Sequence, residues 1–91
     1  MNNKLILTNL PMVEEMIIDS ETFKNTKEIR RDKLDLPLFP FRLKFKGTFH
    51  NLEILDLRNL DKDHIDEYLD KKQFPKVHTL LLENSYCKGF K

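Results

Sequence analysis

The 91-residue sequence has little of what usually holds a small protein together or equips it for phosphate chemistry. It contains one cysteine, Cys87, two glycines, Gly47 and Gly89, and no tryptophan or alanine. A single cysteine excludes an intrachain disulfide, which predicts a reducing compartment, and we expect the cytoplasm. Two isolated glycines exclude a glycine-rich phosphate-binding loop.

Long apolar stretches are missing as well. The N-terminal run of residues 5–7 is far shorter than the ~7–15 residues of a signal-peptide core, and no run approaches the ~18 residues that span a bilayer. The formal net charge is +1, so total charge indicates no particular partner. The length sets a single domain, 1–91, as the ceiling, and we expect no membrane partner.

Motifs for catalysis or metal binding are also missing. The histidines His50, His64 and His78 have no short metal-ligand spacing to Cys87, and the sequence contains no HExxH motif or nucleophile elbow. The acidic residues within 63–70 are expected to form a solvated helix face. We therefore expect a protein that is not an enzyme and that uses no cofactor, no metal and no small-molecule substrate.

What is present is a repeated spacing of apolar residues. Three segments, 10–20, 49–59 and 74–84, share the template h-x-x-h-x-x-h-x-h, in which h is apolar. The four positions hold, in order, Leu10, Phe49 and Phe74; Val13, Leu52 and Val77; Met16, Leu55 and Leu80; and Ile18, Leu57 and Leu82. The last two positions alternate as strand residues on one face do. The alternative is a small α/β domain with two similar strands.

The template resembles the leucine-rich repeat, whose core is LxxLxLxxN. The spacing from Leu52 to Val77 is 25 residues, within the ~20–29 of that family. Two features depart from the family pattern. Asn59 and Asn84 lie one residue too early for its asparagine, and the first spacing, from Val13 to Leu52, is 39 residues.

Residues 60–73 occupy the place of the repeat's helix. Asp61 or Asp63 is a suitable N-cap, and the apolar stripe would consist of Ile65, Tyr68 and Leu69. The resemblance is closest to the repeats of F-box proteins, in which the helix is well formed. It implies an α/β fold, a short leucine-rich-repeat-like solenoid fragment with parallel strands, one well-formed helix and a basic edge strand or extended insertion.

The predicted domain has four parts: a first partial repeat (10–23), a basic insertion (24–48), a complete repeat (49–73) and a last strand with the tail (74–91). Residues 24–46 carry eight Lys or Arg against three acids. At the end of this stretch apolar and basic residues alternate, namely Phe41, Arg42, Leu43, Lys44, Phe45 and Lys46. The lysines could protect a sheet edge or contact phosphate groups.

Two functions follow as hypotheses. Because so few repeats do not shield their own ends, the first is a non-catalytic interaction protein, a small structural subunit docked on a larger protein or ribonucleoprotein assembly. The resemblance places its protein-binding residues on a concave face: Ile17, Ile54, Asp56, Thr79 and Leu81. The alternative is an RNA-associated component, such as a lineage-specific ribosome-bound protein. It would bind RNA through Arg30, Arg31, Lys33, Arg42, Lys44 and Lys46.

Overall fold

Six short strands form two sheets in the computed structural model, which describes residues 4–7, 15–31 and 42–91. The four-stranded sheet contains, in spatial order, β1 (Lys4–Leu7), β3 (Glu28–Arg31), β5 (Ile54–Asp56) and β6 (Thr79–Leu81). The two-stranded sheet contains β2 (Glu15–Asp19) and β4 (Arg42–Lys46). All pairings between these strands are parallel. The chain therefore crosses to the second sheet after β1 and after β3, and each time returns one strand further along the first.

The strands of the four-stranded sheet recur every 24 to 26 residues. Lys4 pairs with Glu28, Glu28 with Ile54, and Ile54 with Thr79. We call each stretch from one of these strands to the next a coil. Because parallel strands need a long crossover, each coil supplies that crossover by passing through the opposite side of the molecule, and the coils stack on one another.

The core lies between the two sheets. Ile29 and Leu55 of the four-stranded sheet are completely buried, and Ile18 and Leu43 of the other sheet are buried against the same cluster. Aromatic rings extend this core along the stack of coils. The Phe49 and Phe74 rings stack with centroids 5.4 Å apart, and Phe90 stacks on Phe74 at 5.6 Å.

The predicted fold class is wrong. The described residues contain no α-helix, and their parallel strands lie in two sheets. Residues 60–73, predicted as the helix, begin with one turn, in which the Ile65 N–H donates to the Asp61 carbonyl oxygen at 3.2 Å. The segment does not continue as an α-helix, and it ends in a short 3-10 helix at Lys71–Gln73.

Pairing with the C-terminal residues replaces the predicted helix. The Leu69 N–H donates to the Gly89 carbonyl oxygen at 2.9 Å, and the Leu69 carbonyl oxygen accepts from Lys91 at 2.8 Å. Ile65 and Leu69 are buried, as the predicted stripe required, but Tyr68 is 44% exposed. A helix of this length is marginal in isolation, so tertiary hydrogen bonds decide the backbone conformation.

The strands of the predicted partial repeat and basic segment pair with each other. The predicted first partial repeat, 10–23, contributes β2, which pairs with β4 and not with β5. The predicted basic edge strand is β4, and its second edge is partly covered because the Leu43 N–H donates to the His64 carbonyl oxygen at 2.8 Å. Residues 24–48 thus supply one strand to each sheet, β3 and β4. Phe41 lies outside the described residues.

Candidate protein-binding face

The candidate site is the outward side of the four-stranded sheet, which we call the four-strand face. Side chains alternate across a strand, so Leu5 and Leu55 pack against the core while their neighbours point away from it. The outward residues are Lys4, Ile6, Glu28, Arg30, Ile54, Asp56, Thr79 and Leu81. Ile6 is 39% exposed, and Ile54, Thr79 and Leu81 are half-buried. Apolar side chains are therefore accessible along this face.

Four of the five predicted protein-binding residues come together on the four-strand face. Ile54 pairs in register with Thr79, and Asp56 pairs with Leu81. The fifth, Ile17, lies on β2 in the other sheet, where it is 57% exposed. The structure therefore separates Ile17 from the group. It adds Ile6, which the sequence did not single out, and Arg30, which the sequence predicted as an RNA-binding residue.

A fixed ion pair lies near the centre of this face. Asp56 is completely buried, and its two carboxylate oxygens accept from the Arg58 side chain, Oδ2 from Nη2 at 2.7 Å and Oδ1 from Nε at 2.9 Å. The Arg58 backbone N–H donates to Oδ1 at 3.2 Å, and the Arg31 backbone N–H donates to Oδ2 at 3.4 Å. Such a two-pronged arrangement fixes the direction of the guanidinium group.

The surroundings of Asp56 keep it ionised. Burial alone would raise the pKa of Asp56, but hydrogen bonds from the side chain and backbone of Arg58 and from the backbone of Arg31 hold it below its usual range. The same hydrogen bond to Asp56 raises the pKa of Arg58. Asp56 therefore anchors Arg58, whose side chain is 30% exposed and can meet a partner.

Further pairs of polar side chains lie on or beside the four-strand face. The Arg30 Nε donates to Glu28 at 2.9 Å on the same strand. Just before β5 and β6, His78 Nε2 lies 3.5 Å from a Glu53 carboxylate oxygen. The face thus combines half-buried apolar side chains with paired charges, a composition that resembles that of protein–protein interfaces.

The basic residues of β3 are not arranged to contact a phosphate backbone. Arg30 is paired with Glu28, and Arg31 is buried, with its Nε donating to the Arg58 carbonyl oxygen at 3.2 Å. Burial lowers the pKa of Arg31, and the charge of Asp56 raises it. Lys33, also predicted to bind RNA, lies outside the described residues.

The other three predicted RNA-binding residues belong to β4, in the opposite sheet. Arg42 donates to the Asp66 carboxylate and, at 3.1 Å, to the Lys62 carbonyl oxygen. Lys44 is half-buried and Lys46 is exposed. The predicted RNA-binding residues that the structure describes are thus divided between two sheets.

Two searches of the described residues and three wider comparisons found nothing. Within 4–7, 15–31 and 42–91, no group of three His, Cys, Asp or Glu side chains could hold a metal ion. The same residues form no helix of the length and hydrophobicity needed to span a membrane. The chain matches no protein-family model, and comparisons with curated proteins and with solved structures give no match.

Proposed function

We propose that this chain is a non-catalytic interaction module that binds a protein partner through the four-strand face, as a small subunit of a larger assembly. One observation carries the proposal. Ile54, Thr79 and Leu81 lie side by side and half-buried next to the anchored Asp56–Arg58 pair. This arrangement offers apolar area for burial and a charged group for orientation.

The anchored arginine is suited to binding because it is oriented in advance. Arginine is enriched among the residues that contribute most to protein interfaces. Its side chain normally loses rotamer freedom on binding, and the cost is smaller when that freedom is already restricted. The hydrogen bonds between Arg58 and Asp56 supply that restriction. A partner with a carboxylate or a carbonyl oxygen opposite Arg58 would complete the contact.

Docking would also stabilise the chain itself. A domain of about 90 residues buries only about 60–65% of its unfolded surface, which leaves little margin of stability. A partner that binds only the folded state adds to the free energy of unfolding. The half-buried side chains of Ile54 and Leu81 are the groups that such binding would cover.

RNA binding through β4 is the competing proposal. Lys44 and Lys46 are the two cations of β4 that could contact phosphate groups, while Arg42 is already engaged by Asp66. Nucleic-acid affinity grows with the number of cations that meet phosphates. Two lysines are a small number, so the contacts in the structure favour the protein-binding proposal.

Affinity purification from native cells tests both proposals. We expect the wild-type chain to retain a protein partner after nuclease treatment, and Leu81→Lys to lose it. Ile17→Lys is the matched control, because it places the same charge on an exposed apolar position of the other sheet. Equal retention by Leu81→Lys would refute the role of the four-strand face. Loss of the partner on nuclease treatment, together with loss in Lys44→Glu/Lys46→Glu, would favour RNA binding.

A further inference from the structure

A cavity of about 520 Å³ lies at the carboxyl ends of β2 and β4. Its walls come from two stretches of the chain, 19–24 and 46–51. Hydrogen bonds join the two stretches: the Ser20 N–H donates to the Lys46 carbonyl oxygen at 2.9 Å, and the Asn51 Nδ2 donates to the Lys24 carbonyl oxygen at 2.7 Å. The walls are therefore held in place relative to each other.

Ser20 brings a buried hydroxyl group to this cavity. The residue is only 8% exposed, and its Oγ overlaps the place where a Cβ of Gly47 would lie. Within the part of the chain that the structure describes, no group forms a hydrogen bond with this hydroxyl. Buried polar groups nearly always have a hydrogen-bond partner. The Ser20 hydroxyl therefore indicates that a water molecule or a polar group of a ligand completes the cavity.

Four charged residues of both signs line the same cavity, namely Asp19, Glu21, Lys24 and Lys46. Asp19 and Lys46 even lie opposite each other in the register of β2 and β4. Among residues 4–7, 15–31 and 42–91, however, none of the four forms an ion pair. Charges of both signs are therefore available to a ligand in one place.

This set of charges favours a ligand that carries both signs itself. The two carboxylates would repel a simple anion, and the two lysines would repel a simple cation. A molecule with an ammonium and a carboxylate group meets an opposite charge at each end. The Asp19 Oδ1 accepts from the Glu21 N–H at 2.9 Å, which orients the Asp19 carboxylate and leaves its Oδ2 for an ammonium group.

The rest of the lining is polar. Thr48, His50 and Asn51 also line the cavity, and the Asn51 Oδ1 is an available acceptor because the Nδ2 is the atom bound to Lys24. Cavities that bind small molecules have volumes of roughly 300–1,000 Å³, and this one lies within that range. The sequence alone does not show this group, because its members belong to two separate stretches that meet only in the fold.

We propose that this cavity binds a small zwitterion, an amino acid with an uncharged polar side chain. Lys24 and Lys46 bind its carboxylate. Asp19 and Glu21 bind its ammonium group, and the Ser20 hydroxyl forms a hydrogen bond with one of its polar groups. None of the residues named for the four-strand face lines the cavity, so the proposal does not depend on the proposed function.

Saturation-transfer NMR on the full chain tests this inference with four probes: L-serine, L-threonine, L-asparagine and L-glutamine. We expect at least one to bind the wild type. The tightest of them is then compared with its N-acetyl derivative, which keeps only the carboxylate charge, and with its amide, which keeps only the ammonium charge. Each derivative should bind about tenfold more weakly than the parent amino acid, because it loses the charged group that one pair of side chains binds.

Two variants remove the charges of the cavity one sign at a time. Lys24→Gln removes a cation and Glu21→Gln removes an anion, both at exposed positions, and each should weaken binding of the parent amino acid about tenfold. Lys24→Gln should also reduce the preference for the parent over its amide, because the amide lacks the group that Lys24 binds. Circular dichroism checks that each variant is folded.

Lys62→Gln is the matched control, since it makes the same change at an exposed lysine outside the cavity, and it should bind as the wild type does. A wild type that binds none of the four amino acids would overturn the inference. So would an N-acetyl derivative or an amide that binds as tightly as its parent, or equal binding by Lys24→Gln and Lys62→Gln.

Discussion

Arg58 and Asp56 form a two-pronged ion pair in which the two partners differ in exposure. The carboxylate of Asp56 is completely buried, while the Arg58 side chain is 30% exposed. A buried charge that loses its partner cannot recover the lost interaction from water. The pair is therefore asymmetric, because removing the partly exposed arginine leaves the buried carboxylate without its charged partner.

Arg58→Ala should lower the free energy of unfolding at neutral pH by about 3 kcal/mol, the range seen when one partner of a buried pair is removed. Urea denaturation monitored by circular dichroism measures this loss. Arg30→Ala is the matched control, because the Arg30–Glu28 pair is 32% exposed on both sides, and exposed pairs contribute about 0–1 kcal/mol. Equal losses in the two variants would show that the Arg58–Asp56 pair contributes no more to the free energy of unfolding than an exposed pair does.

The Asp56 carboxylate should also give the stability of the chain a pH dependence. Its pKa is held below its usual range in the folded state, whereas an unfolded aspartate has a pKa of about 3.9. The contribution of Asp56 is therefore complete above about pH 4 and is lost as pH falls through the folded-state pKa. Asp56→Asn should be less stable than the wild type at pH 7, and the difference should shrink towards pH 2. A difference that stays constant in unfolding experiments across this range would contradict the assignment.

The apolar template located β5 and β6 but missed β3, and Thr26 and Arg31 explain why. Phe23, Thr26 and Ile29 have the same spacing as the apolar residues that begin with Phe49, and β3 follows them as β5 follows the later set. Thr26 and Arg31 fill core positions that hold leucines in the next coil, and both are buried. Their polarity concealed a coil that the spacing alone would have revealed.

The segment 10–20 fits the apolar template but belongs to the other sheet. Met16 and Ile18 alternate as strand residues, and β2 is indeed a strand, but its apolar side faces the core from the two-stranded sheet. Alternation shows that a strand has a buried face and not which sheet it joins. The outward side of β2, including Ile17, was therefore assigned to the wrong surface.

The asparagines also have a local role that the repeat pattern did not predict. Asn59 and Asn84 both adopt left-handed backbone conformations, with φ of 60° and 56°. Asparagine tolerates this region better than most residues. Both residues follow a strand of the four-stranded sheet, β5 and β6 respectively. Their position one residue earlier than in the leucine-rich repeat thus matches a turn after each strand.

Gly47 should tolerate no side chain. Its φ is +84°, in the region that favours glycine, and a Cβ built on Gly47 would clash with the Ser20 Oγ and come within 3.1 Å of the Ser20 Cβ. Gly47→Ala should lower the free energy of unfolding by about 2 kcal/mol, from backbone strain together with the clash.

Two further variants separate these causes. Gly47→Ala/Ser20→Gly should recover the part due to the clash and keep the part due to φ. Gly89→Ala is the matched control, because Gly89 has a φ of +125° but nothing lies within 4 Å of its added Cβ. If Gly47→Ala destabilised the Ser20→Gly background as much as it destabilises the wild type in thermal denaturation, the contact with Ser20 would have no effect.

Cys87 should react with thiol reagents only when the chain opens. It is buried, its Sγ lies 3.8 Å from the Gly89 carbonyl oxygen, and burial raises the pKa of its thiol. Because the thiolate is the reactive form, both effects slow alkylation in the folded state. The chain has one cysteine, so mass spectrometry of the alkylated protein reports on this position alone. We expect slow labelling in buffer and rapid labelling in concentrated urea.

The labelling rate should also follow stability across the variants. When reclosing is faster than the reaction, the rate is proportional to the open fraction, so a variant destabilised by about 3 kcal/mol should be labelled about a hundredfold faster. Arg58→Ala should therefore label much faster than Arg30→Ala, provided that Cys87 is exposed mainly by global unfolding. Equal rates for these two variants, despite different urea midpoints, would show that Cys87 is exposed by a local opening of the segment that follows β6. Rapid labelling of the native wild type would contradict its burial.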